Sequence, residues 1–77
     1  MRIQVLGTGC SKCKQLTASA EKAVAELGLG VPVEKVEEIR EIMKFKVMST
    51  PALVIDGTVR STGRVLSPED VKAFLRG

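Results

Sequence analysis

The chain has 77 residues, 44% of them hydrophobic and 27% charged, with a formal net charge of +3, which fits one small globular domain spanning 1–77 and excludes a disordered chain. The charge is scattered among acids without a basic block and aromatics make up only 3%, which argues against nucleic-acid binding. No apolar run is long enough to span a bilayer and no signal-peptide pattern opens the chain, so a cytoplasmic protein without membrane contact is expected.

Arg2 to Leu6 reads as a short strand, apolar except for Gln4. It runs into Gly7-Thr8-Gly9-Cys10-Ser11-Lys12-Cys13, where the two glycines permit a tight turn and the cysteines are the only two in the chain. In a first helical turn, a Cys-x-x-Cys spacing puts both sulfurs on one face at the helix end. Such a pair can close a disulfide or chelate a soft metal. A thiolate here is favoured by the unpaired N–H groups and positive dipole end of the helix, with Lys12 and Lys14 adding positive charge. Cys10 is the better-placed nucleophile of the two. Two cysteines in a cytosolic chain argue for redox or metal chemistry over a structural disulfide framework. The chain contains no His, which removes every Cys-His dyad and imidazole metal site.

From Cys13 the apolar positions Leu16, Ala20, Ala23, Val24 and Leu27 recur at helical spacing, and Gly28 is the natural stop. Val31 to Val36 alternates like a strand, which Pro32 confines to a sheet edge or a strand start. Glu37 to Phe45 returns to helical spacing through Ile39, Ile42 and Met43, with acids at its front and Lys44 and Lys46 at its end. After Met48-Ser49-Thr50-Pro51 comes the continuous apolar run Ala52–Ile55, suited to a central strand buried on both faces. Asp56-Gly57 is the strongest hairpin signal, with Thr58 to Thr62 as the returning strand. Ser67 then reads as an N-cap, Pro68 as the first helical residue, and Leu66 with Val71 as a hydrophobic staple. Val71, Phe74 and Leu75 form the inward face of the last helix.

The predicted order is βαβαββα. The first two strands are parallel because a helix crosses between them, and the last two form a hairpin. An α/β domain follows, with a four-stranded mixed sheet and helices on both faces. The dithiol lies at the C-terminal end of the first strand, where open α/β sheets place their chemistry.

On these motifs the chain resembles a minimal thioredoxin or glutaredoxin over nearly its whole length. The Cys-x-x-Cys opening the first helix is one motif, and the stretch from Phe45 to Gly57, with Thr50-Pro51 opening the third strand, is the other. The Gly-Thr-Gly before Cys10, the short chain and Gly63-Arg64-Val65 before the last helix are similar to the small thioredoxin-like redox-active disulfide proteins of archaea and bacteria. The resemblance implies a thiol-disulfide oxidoreductase with no cofactor and no resident metal, acting as a monomer. Cys10 would be the attacking cysteine, Cys13 the resolving one, and Pro51 a cis proline in a substrate groove with Thr50, Met48 and Gly63. Its partners would be a disulfide-containing protein substrate and a disulfide reductase as electron donor. Lys12 would tune the Cys10 thiolate, and Gln4, which cannot serve as a base, would either tune the thiolates by a hydrogen bond near the sulfurs or be a satisfied core amide.

The chain also departs from that pattern. Gly9 replaces the aromatic before the first cysteine, and Ser11-Lys12 the Gly-Pro between the two. Gln4 stands six residues before Cys10, where thioredoxin carries a buried acid that helps deprotonate the resolving cysteine. The glutaredoxin Pro-Tyr pair is absent, so use of glutathione is not implied. One rival is a soft-metal carrier for Cu(I) or arsenic, because Val5 to Cys13 is similar to the loop of heavy-metal-associated domains. That family carries Met where this chain has Thr8, and its second half has a different element order. The other rival is a redox-sensing module that docks on a partner.

Overall fold

A computed structural model describes residues 1–8, 11–47 and 49–76. The predicted sites at Cys10 and Met48 lie outside the described residues. The elements are β1 (Ile3–Leu6), α1 (Ser11–Leu27), β2 (Val33–Val36), α2 (Ile39–Lys44), β3 (Ala52–Ile55), β4 (Thr58–Thr62) and α3 (Pro68–Leu75). The sheet runs β2-β1-β3-β4, with β1 parallel to β2 and antiparallel to β3, and β3 antiparallel to β4. This is the predicted α/β order with a four-stranded mixed sheet. The two continuous apolar strands, β1 and β3, occupy its centre and are buried along their whole length. β2, preceded by Pro32, takes an edge.

Side-chain alternation along β1 and β3 divides the core. Ile3, Val5, Leu53 and Ile55 face one side, where Leu16, Ala20, Ala23 and Val24 of α1 and Val71 and Leu75 of α3 cover them. Leu6, Ala52 and Val54 face the other, beneath Ile42 of α2. Alanines at the middle of the α1 stripe let that long helix lie close on the sheet. Its end is set by Gly28 at φ 64°, whose N–H donates to the Ala25 carbonyl while Leu29 donates to that of Val24. This closes a Schellman motif at the predicted stop. Asp56 and Gly57, at φ 51° and 80°, join Ile55 to Thr58 in a two-residue turn with both central residues left-handed, the geometry that matches strand twist. Ser67 caps α3 as expected, in a reciprocal capping box with Asp70. Leu66 and Val71 are both buried in the core.

α2 departs from expectation. Its helical residues stop at Lys44, and only Ile42 is buried; Ile39 and Met43 are 62% and 68% exposed. The chain leaves the helix at Phe45, and Lys46 adopts φ 58°. Phe45 and Val47, from the exit segment, pack against the core instead. The helix is too short to lay a full apolar stripe on the sheet. No helix among the described residues is long and apolar enough to cross a membrane.

Lys72 of α3 joins Glu26 at the end of α1 through a 2.9 Å ion pair, and also meets Glu69 at 3.3 Å. The hydrogen bond from Lys72 lowers the Glu26 pKa, and the same bond raises that of Lys72. The lowered carboxyl contributes stability that is present above the ordinary carboxylate range and is lost as pH falls through its folded value. The raised ammonium contributes stability that is present below the ordinary lysine range and is lost as pH rises through its folded value. The difference in urea midpoint between wild type and Glu26→Gln should therefore stay constant through neutral pH. It should shrink below about pH 4 and above about pH 10.5, and a difference independent of pH across that range would exclude the pair as its source.

Candidate active site

At the C-terminal end of β1 three segments converge. The register that pairs Leu6 with Ala52 brings Gly7 to the level of Pro51, and the Gly7 N–H donates 2.9 Å to the Val36 carbonyl, tying the ends of β1 and β2 together. Cys13, the third residue of α1, is 5% exposed. Its sulfur lies directly over Gly7: a Cβ built on Gly7 would run into Cys13 Sγ, would stand 3.1 Å from Cys13 Cβ, and would come within 4.0 Å of Thr50 Cβ. Gly7 is therefore required for close approach between β1 and α1. A turn requirement, the role its sequence position suggests, is secondary.

The Thr50–Pro51 peptide is cis, with Pro51 buried and Thr50 exposed beside the Gly7–Cys13 contact. Gly63 holds this corner in place. At φ 67° its N–H donates 2.8 Å to the Pro51 carbonyl, and a Cβ there would stand 3.0 Å from Ser49 Cβ. Lys12 is exposed in the first turn of α1, and that turn contains no acid. Cys13, Thr50, Pro51 and Gly63 are thus brought to one end of the sheet.

Gln4 is not with them. It is 7% exposed, and alternation along β1 turns it toward the α2 face, opposite the face that Val5 shares with α1. A change of one residue along a strand reverses the face, so its position six residues before Cys10 does not bring its side chain under Cys13.

Sequence reading misses a small cavity beside Cys13, about 50 Å³, between Val5 and Gly7, Cys13 and Thr17, and Lys35 and Glu37. Thr17 is buried and donates its hydroxyl 2.9 Å to the Cys13 carbonyl one turn earlier. The cavity is large enough for a water with polar partners. The only sequence signal for Thr17 is its place four residues after Cys13. Lys35 depends on strand pairing, which sets it opposite Val5.

The family model described as "Thioredoxin domain" matches residues 1–76. The chain belongs to the thioredoxin family. It is 40% identical over 75 residues to a thioredoxin of Methanothermobacter thermautotrophicus, an alignment covering 97% of each chain. A thioredoxin of Methanocaldococcus jannaschii is 36% identical over 74 residues, covering 96% of this chain and 85% of that one. Membership sets the chain among thioredoxin-like redox proteins. It also accounts for the meeting of α1, the cis proline and the end of β1 within so few residues.

Proposed function

We propose that this thioredoxin-family chain is a thiol-disulfide oxidoreductase whose Cys10-Cys13 pair exchanges with disulfides of protein substrates. The observation that carries the reading is the burial of Cys13 in the first turn of α1, against Gly7 and beside Thr50. A sulfur in that position suits internal attack within a Cys-x-x-Cys pair and is poorly open to an external disulfide.

In the reduced protein the Cys10 thiolate attacks a substrate sulfur. A new S–S bond forms, and the other substrate sulfur leaves with the electron pair. The α1 dipole and Lys12 favour that thiolate. Thr50 and Pro51 line the groove for the substrate segment, with the Gly63 corner at its border. Cys13 loses its proton and attacks Cys10, releasing the second substrate sulfur as a thiolate that takes up a proton. The Cys10-Cys13 disulfide is then reset by a disulfide reductase in a reducing compartment such as the cytoplasm.

The test is a redox titration. The purified protein is equilibrated across dithiol buffers, its free thiols are alkylated, and the modified fraction is read by mass. A single two-electron transition between about −120 and −270 mV is expected, the span of known dithiol oxidoreductases. A pair that never closes, or that stays protected by a copurified soft metal, would overturn the reading.

A further inference from the structure

α2 covers only the Leu6, Ala52 and Val54 end of its sheet face, and the rest of that face is an open groove of about 600 Å³ along β1 and β2. Its walls concentrate negative charge on a protein that is positive overall. Of the nine acids in the chain, Glu34, Glu37, Glu38, Glu41 and Asp56 line it, against only Arg2 and Lys35 of the twelve basic residues. Arg2 is committed to Glu34, with its Nε 2.9 Å from the carboxylate. Glu41 pairs with Lys44 at 3.1 Å. Among the described residues, Glu37 and Glu38 have no ion-pair partner within 4.0 Å.

Gln4 supplies an independent indication. Its side chain is more than nine-tenths buried and lines the groove, yet its amide makes no side-chain hydrogen bond among the described residues. Among those residues no fully enclosed side-chain nitrogen or oxygen lacks a partner, so the small accessible remnant of the Gln4 amide opens into the groove. An amide so nearly enclosed is costly to leave unpaired, and an incoming peptide group would complete it. Half-buried Val36 and Phe45 border it with apolar surface suited to an aliphatic stem. The acids are strung along the groove, and no group of three or more among the described residues gathers to hold a metal ion.

We propose that this groove docks an extended, Lys- or Arg-rich segment of a redox partner protein. The Gln4 amide would bond a backbone peptide group of that segment, and Glu37, Glu38 and Glu41 would meet its cationic side chains. An extended segment presents every second side chain to one face, so one lying along β1 and β2 can turn its cations toward the acids of the β2–α2 connection and of α2. Lys35 and Glu37 line both the groove and the cavity beside Cys13, so a partner held here is held next to the dithiol end. The proposal rests on the oxidoreductase reading for the nature of the partner, and on groove chemistry alone for the basic segment.

The test is an amide NMR titration of the full chain with a synthetic seven-residue peptide of alternating arginine and serine. A glutamate-serine peptide and spermidine serve as parallel arms. The basic peptide should shift the Gln4 side-chain amide together with the backbone signals of Val36, Glu38 and Phe45, and should weaken as salt rises. Glu38→Gln with Glu41→Gln should weaken binding about tenfold at low salt. Gln4→Leu should weaken it about fivefold or more while the fold stays at least as stable, because the unpaired amide is gone. The proposal is overturned by an absence of shifts at these residues, by undiminished binding in both variants, or by equal binding of spermidine, which would assign the groove to small polyamines. Wild-type exchange with a small disulfide is measured separately. Its failure would remove the oxidoreductase reading and leave the groove result standing, whereas exchange without groove binding would remove only the groove.

Discussion

Cys10→Ser is expected to stop disulfide exchange, with a rate loss of about a thousandfold or more, the scale on which removing a nucleophile acts. Cys13→Ser should instead leave the first attack intact and accumulate protein joined to substrate through Cys10. The asymmetry follows from accessibility. An attacking sulfur must approach the S–S bond of an external substrate, and Cys13, 5% exposed with its sulfur against Gly7, has no room to receive one. It can react with a sulfur brought to it within the Cys-x-x-Cys pair. A hydroxyl at position 10 provides no thiolate and forms no mixed disulfide, so the reaction ends before it begins. At position 13 a hydroxyl removes only the second step. The assay is acid quenching at successive times after mixing with a disulfide peptide, followed by intact mass. Equal behaviour of the two variants, or trapping in Cys10→Ser, would reverse the assigned roles.

Much of the fold can be read from the sequence because each element carries its own local signal. The i, i+3, i+4 stripe of α1, the unbroken apolar run of β3, Asp56-Gly57 and the Ser67-Pro68 cap each need only a few neighbouring residues. Together they fix the helix crossing between β1 and β2 and the hairpin that follows. α2 is the exception. Periodicity alone assigns Ile39, Ile42 and Met43 to one buried face, but burial requires a surface to cover, and six helical residues beside a short sheet leave two of the three in solvent.

The site divides along the same line. The cysteines and Thr50-Pro51 are visible as motifs. The contacts that give them meaning are long-range: the Gly63 N–H on the Pro51 carbonyl, the cavity shared by Thr17, Lys35 and Glu37, and the turning of Gln4 to the far face. Distance along the chain assigns Gln4 to the dithiol, and strand alternation decides otherwise. The same alternation makes Gln4 the buried amide of the acidic groove, so its failure as a thiolate neighbour and its place in the groove have one cause.

Gly7→Ala should damage both the fold and the site. Its Cβ would occupy space now held by the Cys13 sulfur, and Cys13 Cβ, 3.1 Å away, blocks a simple side-chain rotation from clearing it. Both residues are buried, so the first turn of α1 must lift from β1. Overpacking of this kind costs about 1 to 3 kcal/mol. The kinetic effect is larger in proportion under the proposed mechanism, because the displaced atom is the sulfur to which that mechanism gives the resolving step. A misplacement on the order of 1 Å costs about a hundredfold in a reaction that depends on alignment. The expected result is a lowered melting temperature together with slow release of the mixed disulfide in single turnover, while its formation is affected less. Gly28→Ala separates the two effects. Gly28 sits at φ 64° with nothing within 4 Å of the place an added methyl would take, so alanine there costs about 1 to 2 kcal/mol of left-handed backbone strain without touching the site. That variant should melt earlier and resolve the mixed disulfide at the wild-type rate. If Gly7→Ala also resolves at that rate, the contact between β1 and the Cys13 sulfur does not position the second step.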